Sequence, residues 1–330
     1  MIERGLLDYI ITLLPGLTPR NRVALLNGFD CEEDIILQSK EDLERYLNRQ
    51  IRCDWDIDEI RAKAAQIERI CRMRSINLVS WNDAAYPPLL REIYDPPPVL
   101  FYKGELPNPE KPLLGMVGTR RPSPESAQQA YKIAYDIGRA GFSVISGLAL
   151  GIDAMSHRGN LAGGAAGYAV LGSGPDEIYP SSNRMLARRI LESGGALISE
   201  YPPGTHPERW HFPARNRLIS ALSRSVLIVE APQKSGSLIT AAFALEHGKE
   251  LWVASTGLQE HQYSSLNKKM GTIKLAGDGA EIIYSFADIL EKWNFTFADN
   301  DNDDGVVVPQ SDVYGNDLVS SMANFLEIEF

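Results

Sequence analysis

The chain has little cysteine, little histidine and no long apolar run, and each shortage removes a class of protein. Three of its 330 residues are cysteines, Cys31, Cys53 and Cys71. Their spacing is irregular, with no C-x-x-C pair and no histidine cluster beside them. Neither a disulfide framework nor a zinc site is expected, and the three read as ordinary thiols. No stretch approaches the ~20 apolar residues that cross a bilayer. The first residues, Met1-Ile2-Glu3-Arg4, lead straight into a helical pattern without an apolar signal core, so a cytoplasmic location and no membrane partner are expected. Neither G-x-G-x-x-G nor G-x-x-x-x-G-K-[ST] occurs, so nothing points to a dinucleotide fingerprint or a Walker ATPase. The acidic run Asp299–Gly305 fails as a calcium loop: counted from Asp299 the sixth residue is Asp304, and counted from Asn300 the twelfth is Ser311. No metal and no cofactor are expected.

Positive charge is also scarce overall, with 33 Lys and Arg against 43 Asp and Glu and a net charge of −10. Its distribution matters more than its sum, because an anionic ligand responds to local potential. Residues 1–110 hold 14 basic and 19 acidic residues, 111–280 hold 18 and 13, and 281–330 hold 1 and 11. The middle of the chain is therefore net +5 and its last stretch net −10.

Residues 1–75 read as a small helical domain. Leu6, Leu7, Ile10, Ile11 and Leu14 recur at helical spacing, a break follows at Pro15–Pro19, a second helix runs to Gly28, and another fits 58–73. The Leu14-Pro15-Gly16-Leu17 turn is loosely like a helix-hairpin-helix DNA-binding element; a plain packing turn is the commoner use of such residues. Residues 76–110 read as a rigid proline-rich connection with a short strand at Ile76–Ser80. From 113 the pattern becomes strand, glycine turn, helix, repeated. Strands are expected at Leu113–Val117, Ser143–Ser146, Ala166–Leu171, Gly195–Ser199, Ser225–Val229 and Glu250–Ala254, with helices at about 124–140, 152–162, 183–192, 214–222 and 236–247. Continuous apolar strands alternating with helices predict an α/β domain over 111–290, a doubly wound, mostly parallel sheet that binds ligands at the strands' carboxyl ends. Residues 291–330 are expected to form an acidic, flexible tail, with Met322–Phe330 as a short helix or docking peptide.

Five glycine turns carry chemistry. Gly118, Thr119, Arg120 and Arg121 follow the first of these strands; turn N–H groups and a helix start favour an anion, and arginine forks onto phosphate. A plain strand–helix turn is the alternative. Ser146, Gly147 and Gly151 allow close backbone approach to a ligand or a helix, and Asp153 stands where it can cap the helix that also carries His157. Gly172 precedes Tyr179 and Asn183; Tyr179 either stacks on a base, a contact of ~1–3 kcal/mol, or packs in its proline-locked loop. Arg215, Asn216 and Arg217 stand at an expected helix start, where the helix dipole disfavours cations, so an external anion is implied. Lys234, Ser235 and Gly236 open the last helix with the chemistry of a phosphate cradle.

Together these residues resemble the DprA/Smf family. The likeness runs through most of 76–257: Tyr86-Pro87-Pro88-Leu89-Leu90, Asp95-Pro96-Pro97, Val117–Arg120, Ser146–Asp153, Gly172–Asn183, Ser199-Glu200, Phe212–Ser220 and Ser235–Ala241. It implies an extended Rossmann-like core preceded by a small all-helical, SAM/helix-hairpin-helix-like domain. It implies a single-stranded-DNA-binding protein rather than an enzyme, one that dimerises and loads a RecA-type recombinase in natural transformation or homologous recombination. By motif position it places phosphate contacts on Arg120, Arg215 and Arg217, and pocket lining on Gly118, Thr119, Ser146, Gly147, Tyr179, Asn183, Lys234 and Ser235. Gly151, Asp153, Gly172, Arg184, Asn216 and Gly236 complete the expected site. Two departures stand out. Leu150 and Ser181-Ser182 occupy positions where members often carry a basic residue, with Arg184 as a nearby substitute. The segments Ser255-Thr256-Gly257 and Ser265–Lys269 differ from the region that bears the family's dimer and recombinase surfaces. The competing reading is a LOG-like phosphoribohydrolase or a nucleotide sensor on the same fold. The phosphoribohydrolase's P-G-G-x-G-T-x-x-E signature is missing, and its candidate acids are Asp153, Glu200 and Glu230.

Overall fold

A computed structural model describes residues 5–259, 266–298 and 306–309. The helical pattern at the start becomes α1 (Leu7–Leu13), α2 (Pro19–Gly28), α3 (Glu32–Ile36), α4 (Lys40–Leu47) and α5 (Ile57–Met73). Thr18 with Asn21, and Ser39 with Asp42, close capping boxes on α2 and α4, and Asp56 caps α5. Leu7, Ile10, Ile11, Leu25, Leu26, Leu43 and Ala64 share one apolar core. The Leu14–Leu17 turn is part of that packing. Gly16 has φ +70° and lies so near Ile51 and Cys53 that an added Cβ would sit 3.2 Å from Ile51.

The segment expected as a connection does more than connect. It folds into β1 (Asn77–Ser80), α6 (Pro88–Arg91) and β2 (Val99–Gly104), and both strands join the main sheet. Pro96, Pro97 and Pro98 cannot donate to a ladder, but Val99, Leu100 and Phe101 directly after them are apolar, β-prone and fully buried. These strands also carry the helical region. Ile67 and Cys71 of α5 pack with Ile76, Val99 and Phe101, and Ser80 Oγ donates to Asp8 (3.0 Å).

The remainder follows the expected alternation: β3 (Leu113–Val117), α7 (Pro124–Arg139), β4 (Ser143–Ser146), α8 (Ile152–Ala162), β5 (Tyr168–Val170), α9 (Arg184–Glu192), β6 (Ala196–Ser199), α10 (His211–Leu222), β7 (Ser225–Ile228), α11 (Gly236–Glu246), β8 (Glu250–Ala254), α12 (Met270–Gly277) and β9 (Glu281–Ile283). The sheet order is β1-β2-β6-β5-β4-β3-β7-β8-β9. Strands β6 through β8 pair in parallel, whereas β2 is antiparallel to both β1 and β6. This is a Rossmann-like doubly wound sheet with an antiparallel edge. Its order reverses between β3 and β7, the switch point where such sheets open a crevice at the carboxyl ends. One helix differs from expectation. α10 begins at His211 rather than near 214, because Pro213 falls in its first turn, where a missing N–H costs nothing. Arg215, Asn216 and Arg217 therefore lie beyond the first turn and not at the helix start.

From Ile283 the chain forms a separate unit, so the division falls before the expected 290. Regular structure also continues past 290. α13 (Phe286–Trp293) opens on a Ser285–Asp288 capping box and ends at Asn294 with φ 59°, and β10 (Phe295–Ala298) pairs antiparallel with β11 (Val306–Pro309). The acidic run Asp299–Gly305 and the stretch Met322–Phe330 lie outside the described residues. No described helix is long and apolar enough to cross a membrane.

Candidate nucleic-acid interface

The loops at the carboxyl ends of β3, β4 and β7 are locked to one another before any ligand is considered. After β3, Gly118 passes so close to α8 and β7 that a Cβ there would lie 2.6 Å from Ile152 and 3.0 Å from Glu230 O. Thr119 N–H donates to Glu230 O (2.8 Å), and Thr119 O accepts from Ile152 N–H (3.2 Å). The fully buried Glu230 carboxylate accepts from the N–H (3.1 Å) and hydroxyl (2.7 Å) of Ser123, the N-cap of α7.

The loop after β4 is braced from three directions. Asp153 accepts from Gly147 N–H (3.1 Å) and Ala149 N–H (3.3 Å). Asn183 Nδ2 donates to Leu148 O (2.9 Å) and Ala149 O (3.2 Å). Arg215 donates to Gly147 O (2.8 Å) and to Val170 O. Asp153 thus reaches back from inside α8 to hold its own loop, rather than capping the helix; the N-cap is Gly151. Burial pushes the Asp153 carboxyl above its ordinary range, with Arg215 and the loop N–H groups pulling the other way, and burial lowers Arg215 to about 10. His157, fully buried on α8, is lowered to about 3 by burial and by the charge of Arg215.

A cavity of about 720 Å³ opens above these loops. Of the expected residues, Gly118, Thr119, Arg120, Asp153, Tyr179, Arg215, Asn216, Lys234, Ser235 and Gly236 line it, and Gly147 lines a small adjoining recess. The others do not. Ser146 is buried and donates to Met116 O (2.6 Å). Gly151 and Gly172 act by closeness: a Cβ would lie 2.4 Å from Thr119 O in the first case and 2.9 Å from the Phe212 ring in the second. Asn183 braces the loop from beneath, and Arg184 sits exposed at the start of α9. Arg217 corrects the expectation most sharply. It is buried, and its guanidinium donates to Asp95 (3.0 Å) and Glu200 (2.6 Å) instead of facing the cavity. Arg215, although it lines the cavity, is only 4% exposed and is engaged with backbone carbonyls.

The free cations are others. Arg120, Arg121, Arg209 and Lys234 are exposed around the cavity, and none makes an ion pair among the described residues. Arg121 stands in the β3 turn motif. Arg209 precedes α10 by two residues, and placing that helix start at His211 is the signal that finds it. Phe212 was also missed; it packs against Tyr179 (5.5 Å between centroids) and under Arg120 (5.9 Å). Tyr179 itself is 46% exposed. Charge-assisted forks, the exposed Tyr179 ring and a glycine-shaped floor suit a ligand with repeated phosphates and flat bases. Among the described residues no cluster of three or more His, Cys, Asp or Glu is placed to hold a metal ion.

A Rossmann-like sheet whose switch-point crevice is ringed by cations without acidic partners and by aromatic rings defines an α/β protein with a cationic crevice. The chain belongs to the DNA recombination-mediator protein A family, whose model matches residues 77–294. It is 39% identical over 238 residues to the DNA processing protein DprA of Bacillus subtilis, covering 72% of this chain and 78% of that protein. It is 43% identical over 208 residues to Protein Smf of Synechocystis, covering 62% of this chain and 50% of that protein. Among solved structures, DprA of Streptococcus pneumoniae superposes with a TM-score of 0.68 at 30% identity, covering 88% of this chain and 99% of the other. DprA of Helicobacter pylori, solved for its single-stranded DNA binding mode, gives 0.56 at 28% identity over 66% and 95% of the two chains.

Proposed function

We propose that this chain binds single-stranded DNA in the β3–β7 crevice and acts as a recombination mediator. One observation carries the reading: four exposed cations without acidic partners surround a cavity that also presents Tyr179 and Phe212. Arg120, Arg121, Arg209 and Lys234 contact phosphates, Tyr179 offers a face to a base, and Arg215, Asn183 and Asp153 hold the loop that shapes the floor. Family membership supports the finer parts of the proposal: a homodimer, hand-over to a RecA-type recombinase, and a cytoplasmic setting. The LOG-like alternative is not better supported, although Asp153 lines the cavity. Its three candidate acids are engaged elsewhere, Asp153 on the 147–149 loop, Glu200 on Arg217 and Glu230 on Ser123.

The test is fluorescence anisotropy with a labelled thymidine oligonucleotide over a salt series. Each phosphate contact on a single strand contributes about 0.7 to the slope of log affinity against log salt. Arg120→Ala and Arg209→Ala should each lower that slope by about that amount, and the double variant by twice as much. Salt-independent binding by wild type, or wild-type binding by the double variant, would sink the reading.

A further inference from the structure

A second cavity opens on the same side of the sheet, at the carboxyl ends of its parallel strands. Because β2 runs antiparallel to both β1 and β6, β1 points the same way as the parallel strands. Its last residue, Ser80, therefore emerges on their carboxyl side, and the loop from Trp81 to Pro98 lies on the side where the crevice opens. In the sheet order β1 is five strands from β3, roughly 24 Å at the usual strand spacing. Between this loop and α2 is a cavity of about 360 Å³, within the range of ligand sites.

Its lining has the chemistry of the first site in miniature. Arg20, Arg91, Trp81, Tyr94 and Asn27 contribute to it, and no carboxylate does. Arg91 is anchored, donating to Trp81 O (3.0 Å) and Asp83 O (2.8 Å). Arg20 makes no ion pair among the described residues; its guanidinium lies over the Tyr94 ring, 4.7 Å from the centroid. Tyr94 is 72% exposed. A guanidinium resting on an open tyrosine places a forked phosphate donor beside a stacking face, the pairing that unstacked bases and their backbone use.

The two cavities share one scaffold. Arg215 and Asn216 of α10 line the first, and Arg217 of the same helix holds Asp95, which lies between Tyr94 and Pro96 of the second. We propose that the second cavity is a further subsite for the same strand, taking a base against Tyr94 and a phosphate at Arg20. The proposal rests on the single-stranded-DNA reading above.

The experiment compares Arg20→Ala/Tyr94→Ala with wild type on two labelled thymidine oligonucleotides, one short enough to fill the crevice alone and one long enough to reach both cavities. The double variant should bind the long strand about tenfold more weakly, equivalent to about 1.4 kcal/mol, with its salt slope lowered by about 0.7. The short strand should bind as in wild type, and Tyr94→Phe should bind the long strand as in wild type. Thermal melts check that each variant is folded. If wild type binds neither strand, the crevice reading fails and this one with it. If wild type binds both and the double variant keeps full affinity for the long strand, the second subsite alone is wrong and the cavity is left to another ligand, a protein segment included. Equal loss on both strands overturns it as well, because the effect then lies in the crevice.

Discussion

Three arginines within nine residues, Arg209, Arg215 and Arg217, are equivalent on paper and have three different roles in the folded chain. Arg209 is exposed at the cavity, Arg215 supports the cavity floor, and Arg217 joins Asp95 to Glu200. Residue type and motif position could not separate them, because what differs is burial and partner, both set by where α10 begins. A testable difference follows. Removing Arg217 leaves Asp95, 41% exposed, to water but strands the largely buried Glu200, a loss of ~3–5 kcal/mol. Arg217→Ala should therefore lower the unfolding midpoint severely in a denaturant titration, while the protein that remains folded keeps its affinity for a short strand. Arg209→Ala should do the reverse. A stable Arg217→Ala protein that had lost short-strand binding would restore the phosphate role first expected of it.

Among the elements, β3, β4 and β8 have the limits expected of them, and β5, β6 and β7 are shorter than expected by one to three residues. They were legible because a strand covered on both faces is a short apolar run, and glycine turns mark its ends. β2 was hidden because three prolines precede it and its partner β6 lies far along the chain. The start of α10 was hidden by a proline that the first helical turn tolerates. The loops joining these elements are fixed by close approach, which a controlled pair of substitutions can isolate. Gly151 and Gly141 both have positive φ, +76° and +74°, but an added Cβ meets Thr119 O at 2.4 Å in the first and nothing within 4 Å in the second. Both alanine variants carry a backbone penalty for positive φ, larger at Gly151, whose ψ of −124° lies outside the left-handed helical region. Only Gly151→Ala should also displace the 118–121 turn and weaken oligonucleotide binding by tenfold or more, on the order of 1.4 kcal/mol. Equal affinity in the two variants would show that the turn does not depend on that contact.

The stability of the whole molecule carries a pH signature from one residue outside the cavity lining. His157 is enclosed, neither ring nitrogen has a hydrogen-bond partner, and its pKa is lowered to about 3. The unfolded chain takes up a proton near pH 6.5 that the folded chain refuses, so stability is fully present above that pH and is lost as pH falls toward 3. Each pH unit in that window removes up to ~1.4 kcal/mol. The raised Asp153 carboxyl acts in the opposite direction, so the informative quantity is a difference. Between pH 7 and 5 the unfolding free energy of His157→Leu should fall less steeply than that of wild type, by about one proton. Parallel curves would show that the histidine takes up its proton in the fold as readily as in the unfolded chain.

The sheet order also bears on how the chain is made. A polypeptide emerging from its N-terminus has β2 paired only with β1 until β6 appears, and β3, which pairs early with β4, gains its second neighbour only with β7. Pairings so distant in sequence close late, and an apolar strand without its neighbour invites association with another chain. Val99-Leu100-Phe101 is such a strand during synthesis. The prolines at 96–98 stand directly upstream, where they stop an intermolecular ladder from growing past it.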